Sequence, residues 1–161
     1  MRIRTMRRAA SGVASFIEII ASALFLVVLA LLGMDICLAI FGCSMNDHAC
    51  RDAARAASSA NSSAKALSLA QAALKMYQPD GYFISQPQLV ASGFEYNDFN
   101  SAPPPDTSPY VTVTTRCIVR VPAPIFFYGA TFIKDGQAQF TQRYTFPIVQ
   151  TRFVKYLNAP G

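Results

Sequence analysis

The chain lacks most of what enzymatic chemistry needs. It has a single histidine, His48, and no glycine-rich loop with phosphate-binding spacing. Its nine acidic residues include no carboxylate pair with supporting context. Cys43, Asp47, His48 and Cys50 form the one cluster of ligand-type residues, and their spacing matches no closed zinc pattern. A Cys–His nucleophile pair would need an oxyanion site and an orienting third group, and nothing marks either. The reading is therefore a non-enzyme, with no catalytic residue, no metal and no cofactor.

Charge is also scarce. Only 14% of residues are charged against 52% hydrophobic, a balance that fits a membrane-tethered protein. The net charge is +5, but Arg2, Arg4, Arg7 and Arg8 supply four of the positive charges at one end. The remainder is close to neutral and has no basic–aromatic stripe, so nucleic acid is not an expected partner.

What is abundant is one apolar run, residues 16–41, FIEIIASALFLVVLALLGMDICLAIF. Residues 19–34 carry no charge and one hydroxyl, Ser22. At about 1.5 Å per residue this run crosses a hydrocarbon layer of roughly 30 Å. The arginines before it place the N-terminus in the cytoplasm and residues 42–161 across the membrane, since Lys and Arg stay on the cytoplasmic side. A cleavable secretory signal has a similar start, but the run is long for one and no small-x-small site follows it. Two acids lie inside the run. Glu18 is near its start, and Asp35 near its end is expected to be solvated or locally paired at the outer interface.

Past the span, residues 44–76 hold no glycine or proline and are dense in alanine, the best helix former. From Cys50, the positions Ala53, Ala57, Ala60, Ala64, Leu67 and Leu74 follow at alternating spacings of three and four, broken by Gln71. That is one face of a single helix, ending near Tyr77 before Gln78-Pro79-Asp80-Gly81. Asp52 and Arg55 are spaced to pair on its surface. Gly42 is the expected bend between span and arm.

The pattern then changes to period two. Residues 82–85 and 89–96 are short strand candidates, and 97–109 is a proline-stiffened loop. Residues 110–121 are the clearest strand, with Val111, Val113, Cys117, Val119 and Val121 on one face and Thr112, Thr114, Arg116 and Arg120 on the other. The apolar connection that follows carries Phe126, Phe127 and Tyr128, expected in core or subunit contact. Residues 130–133 and 137–149 flank Lys134-Asp135-Gly136, a hairpin signal. The fold class is α+β: a long N-terminal helix packed on a small antiparallel sheet. The organisation is a basic leader (1–12), a transmembrane helix (13–41), an alanine-rich extracytoplasmic helix (42–77) and a β-domain (78–161).

Cys43, Cys50 and Cys117 face an oxidising compartment on this reading, where disulfides persist. Cys43 and Cys50 are about 10 Å apart on one helix, too far to bridge. A staple from Cys117 to Cys50, or to Cys43, would close a long loop and stabilise by about 4 kcal/mol.

The order of parts resembles the TadE/TadG-like minor pilins, or pseudopilins, of the tight-adherence (Flp, type IV-like) pilus. Gly12, Glu18, Asp35 and the Ala53-Ala54-Arg55 core carry the resemblance, followed by a small sheet. It implies a pilin-like fold and cutting by a membrane-embedded prepilin peptidase next to Gly12 or Val13. It also implies a role for Glu18 in assembly with other pilin subunits. Cutting after Val13 makes Glu18 the fifth residue, the family's spacing, and cutting after Gly12 makes it the sixth. A neighbouring subunit's new α-amino group would neutralise an otherwise costly carboxylate. The expected function is thus a subunit of a pilus or secretion filament, located in the inner membrane and possible in a surface pilus. The alternative is a single-pass anchored binding module that uses loop 97–109.

Overall fold

The computed structural model describes residues 3–99, 104, 106–122 and 133–149, with side chains described from Ser15 onward except at 133–134. One helix, α1 (Ile3–Ser58), runs 56 residues without interruption, about 84 Å at helical rise. It does not bend at Gly42. That glycine is buried, and a Cβ placed on it would overlap the Val119 Cγ2 methyl group. Gly42 is therefore a point of close approach between helix and sheet, not a hinge.

The arm is not one helix to Tyr77. α1 stops at Ser58, and a second helix, α2 (Ser63–Lys75), folds back against it. Serine chemistry makes the break. The hydroxyls of Ser58 and Ser59 donate back to the Arg55 and Ala56 carbonyls, both at 2.8 Å, and Ser62 caps α2 by accepting from Lys65 N. The Tyr96 hydroxyl and Val149 N–H then take up the Ala60 and Ser58 carbonyls. The break resets the helical phase. Ala53, Ala57, Ala60 and Leu74 are buried as the stripe required, but Ala64 is exposed, and Ala66 and Ala70 are buried in its stead.

Five strands form one antiparallel sheet: β1 (Gln88–Leu89), β2 (Glu95–Asn97), β3 (Tyr110–Arg120), β4 (Ile133–Lys134) and β5 (Gln137–Pro147). β1 and β2 share one edge of β3, separated by a 3₁₀ turn at Ala91–Gly93. β5 lies along the other edge, and β4 completes the order. The candidate at 82–85 contributes a single bridge, Ile84 to Val119. Asp135 and Gly136, both at positive φ, make the expected Asp-Gly hairpin turn between β4 and β5. Residues 130–132, the aromatics Phe126, Phe127 and Tyr128, and much of loop 97–109 lie outside the described residues.

The helical hairpin covers one face of the sheet, giving the α+β architecture two layers. α1 runs antiparallel to β3, placing Cys50 at Val113, Asn46 at Thr115 and Gly42 at Val119. Ala49, Ala53, Ala54 and Ala57 bury little area each, but they let the helix sit close to the strands.

Candidate functional site

Within α1, Ser15–Ser58 is the segment long and apolar enough to cross a membrane. Its first part touches no other described element. Phe16, Leu24 and Phe25 are 63–65% exposed, a surface that water would not tolerate and that lipid or another helix would cover. Glu18 is exposed on this apolar surface. Gly12 and Val13 lie on the same helix nearer its start, and their side chains are outside the described set. Asp35, about 26 Å further along, is fully enclosed and not solvated. The carboxylate at the start of the apolar run is open, and the one near its end is buried.

The domain is fastened to α1 by polar contacts. Asn46, wholly buried, donates from Nδ2 to the Phe140 carbonyl at 3.1 Å and accepts from Thr115 Oγ1 at 2.9 Å. Thr115 has the parity of Val113 and Cys117, so its inward position was legible in the alternation, but its partner was not. Asn46→Ala strands that hydroxyl and opens a void, and is expected to cost about 2 kcal/mol in thermal unfolding. Adding Thr115→Val should recover part of the loss. Nearer the surface, the Tyr144 hydroxyl donates to Asp47 at 2.7 Å, and Arg51 donates to Tyr144 and pairs with Asp47. Asp52 does not pair with Arg55. It accepts from the Tyr77 hydroxyl at 2.6 Å, which, with some desolvation, pushes the Tyr77 phenol up to about 12.

The Cys43–Asp47–His48–Cys50 cluster is dispersed by the helix. Cys50 is buried and donates to the Val113 and Gln142 carbonyls, and Asp47 is held by Tyr144 and Arg51. His48 is exposed, lining an open groove of about 490 Å³ with Phe41, Met45 and Met76. Among the described residues no group of three or more His, Cys, Asp or Glu side chains could hold a metal ion.

All four cysteines are free thiols. Burial pushes the Cys50 and Cys117 thiols up, and Cys117 donates to the Ser85 carbonyl at 3.2 Å. Cys50 bonds the Val113 carbonyl and that of Gln142, which stands opposite Thr115, so it sits over β3 on the Val113–Thr115 side of Cys117. Cys43 lies on α1 between Gly42, which meets Val119, and Asn46, which meets Thr115, and so faces the Cys117 stretch of β3. In protein treated with a disulfide oxidant, peptide mapping is expected to join Cys117 to Cys43. A Cys50–Cys117 peptide would contradict the register of α1 on β3.

No family model, curated protein or solved structure matches this chain.

Proposed function

We propose that the chain is a minor pilin or pseudopilin subunit that takes part in assembling a tight-adherence, type IV-like pilus or a related secretion filament. The observation that carries this reading is the uninterrupted α1 helix. Its first part is an apolar rod bearing one exposed carboxylate, and its second part is the spine of a small α+β domain. Such a shape leaves one helix surface to be covered by lipid before assembly and by neighbouring helices after it. On this reading the span sits in the inner membrane with its N-terminus cytoplasmic and the sheet domain outside. A prepilin peptidase cuts at Gly12 or Val13, and other subunits meet the chain through α1. The second reading is a single-pass anchored binding module that holds a partner through loop 97–109.

Mass spectrometry of protein recovered from assembled material tests the proposal. The first twelve or thirteen residues are expected to be absent when the peptidase is present. Assembled material that retains Arg2 to Arg8 would overturn processing while leaving the anchor intact.

A further inference from the structure

We propose that the sheet face turned away from the helices is a binding surface for an acidic polysaccharide, a role independent of the filament reading. The alternation of β3 and β5 turns Val111, Val113, Cys117 and Val119 under the helices and Arg116, Arg120, Gln137, Gln139, Thr141 and Arg143 outward, with Ile118 among them. Arg116 stands opposite Thr141, Ile118 opposite Gln139, Arg120 opposite Gln137 and Thr114 opposite Arg143. Directly opposed residues share a face, so three arginines from two strands come together. Arg143 is a diagonal neighbour of Arg116, about 7–8 Å away, and Arg120 lies about 13 Å further along β3. The row extends about 20 Å along the sheet.

These arginines are available. Arg116 and Arg120 are exposed, and among the described residues neither is within ion-pair distance of a carboxylate. Arg143 reaches Glu95 only at 3.8 Å, with its side chain 67% exposed, so the contact leaves its guanidinium open to a stronger acceptor. A guanidinium presents a rigid fork of donors matched to carboxylates and other oxyanions. Half-buried Ile118 lies between Arg116 and Arg120, and opposite them β5 presents exposed amides and a hydroxyl, Gln137, Gln139 and Thr141, suited to sugar hydroxyls. At the end of the row the Arg120 guanidinium lies over the Tyr82 ring, 5.7 Å from its centroid, and Tyr82 is 65% exposed. That ring offers an apolar platform for the flat side of a sugar. One platform among hydroxyl-pairing groups favours a glycan over single-stranded nucleic acid, which is held by successive stacking rings.

The test uses the full-length chain in a neutral detergent, with labelled polygalacturonate as the probe and inorganic polyphosphate and single-stranded DNA as comparisons. Polygalacturonate is expected to bind, weakening several-fold as salt rises and screens the charges. Arg116→Gln with Arg120→Gln should weaken binding ~10-fold or more, whereas Arg55→Gln with Lys65→Gln, removing equal charge from the helices, should change it less than ~2-fold. Thermal melts of both variants should match the parent. Tyr82→Ala should weaken polygalacturonate ~5-fold and leave polyphosphate unchanged, because polyphosphate has no ring to stack. Absence of binding by the parent, equal losses in the two double variants, or tighter binding of DNA or polyphosphate than of polygalacturonate would each overturn the proposal.

Discussion

Gly42→Leu is expected to lower the stability of the folded domain by about 3 kcal/mol or more, read as thermal unfolding of the full chain in detergent micelles. Gly42→Ala decides the sign. In an ordinary mid-helix position, replacing glycine by alanine stabilises by about 1 kcal/mol through helix propensity. Here the added Cβ meets the Val119 Cγ2 methyl inside normal contact distance, with the Ile84 side chain behind it. Val119 is buried, β-branched and flanked on both sides, by Ala138 of β5 and by Ile84 in its bridge, so it has little room to yield. Forcing extra volume into a packed core costs typically 1–3 kcal/mol, and the overlap outweighs the propensity gain. Alanine should therefore destabilise as well. Gly33 supplies the control, since a Cβ there meets nothing within 4 Å and Gly33→Ala should be neutral or slightly stabilising. A stabilised Gly42→Ala protein would show that α1 and β3 are not in contact at that point.

Glu18→Ala is expected to leave membrane insertion intact while reducing incorporation into filaments at least ~10-fold. The substitution removes a charge from the apolar span, which favours insertion by about 2–3 kcal/mol on translocon scales. On the proposed filament reading, what it takes away is the partner for a neighbouring subunit's α-amino group. In a low-dielectric environment that leaves a buried ammonium without compensation, a loss of several kcal/mol per contact. Fractionation checks insertion, and co-purification with assembled material checks incorporation. Wild-type incorporation of Glu18→Ala would show that this carboxylate only sits among the headgroups. The conservative Glu18→Gln keeps the shape and hydrogen bonding but not the charge, so it should fail with alanine if ion pairing is the cause.

The sequence by itself determined the elements whose signals are local. The apolar run is long enough to cross a membrane only as a helix, because a backbone in lipid must satisfy its own hydrogen bonds. The alternation from Val111 to Val121 could only be a strand with one buried face, and Asp135-Gly136 could only be a tight turn joining two antiparallel segments. Those features already entail an α+β chain with its sheet against a helix.

Other features were decided between segments far apart in the chain. Serines at 58, 59 and 62 are each compatible with a helix, and only their joint hydrogen bonding, braced by Tyr96 and Val149, turned one arm into a hairpin. Gly42 reads as a hinge in isolation because the reason for it, Val119, lies 77 positions away in the numbering. Asp35 reads as an interfacial acid until the fold encloses it. The near-neutral charge beyond the N-terminal arginines hid a polyanion surface, because the excess of acids over residues 42–106 offsets a base-rich stretch from 107 onward in which Asp135 is the one acid. Only strand register, with Arg116 opposite Thr141 and Arg143 two residues on, gathers the three arginines on one face. Local propensity acts over a few residues and is written in the chain, whereas close approach, enclosure and charge clustering depend on which distant segments tertiary packing sets side by side.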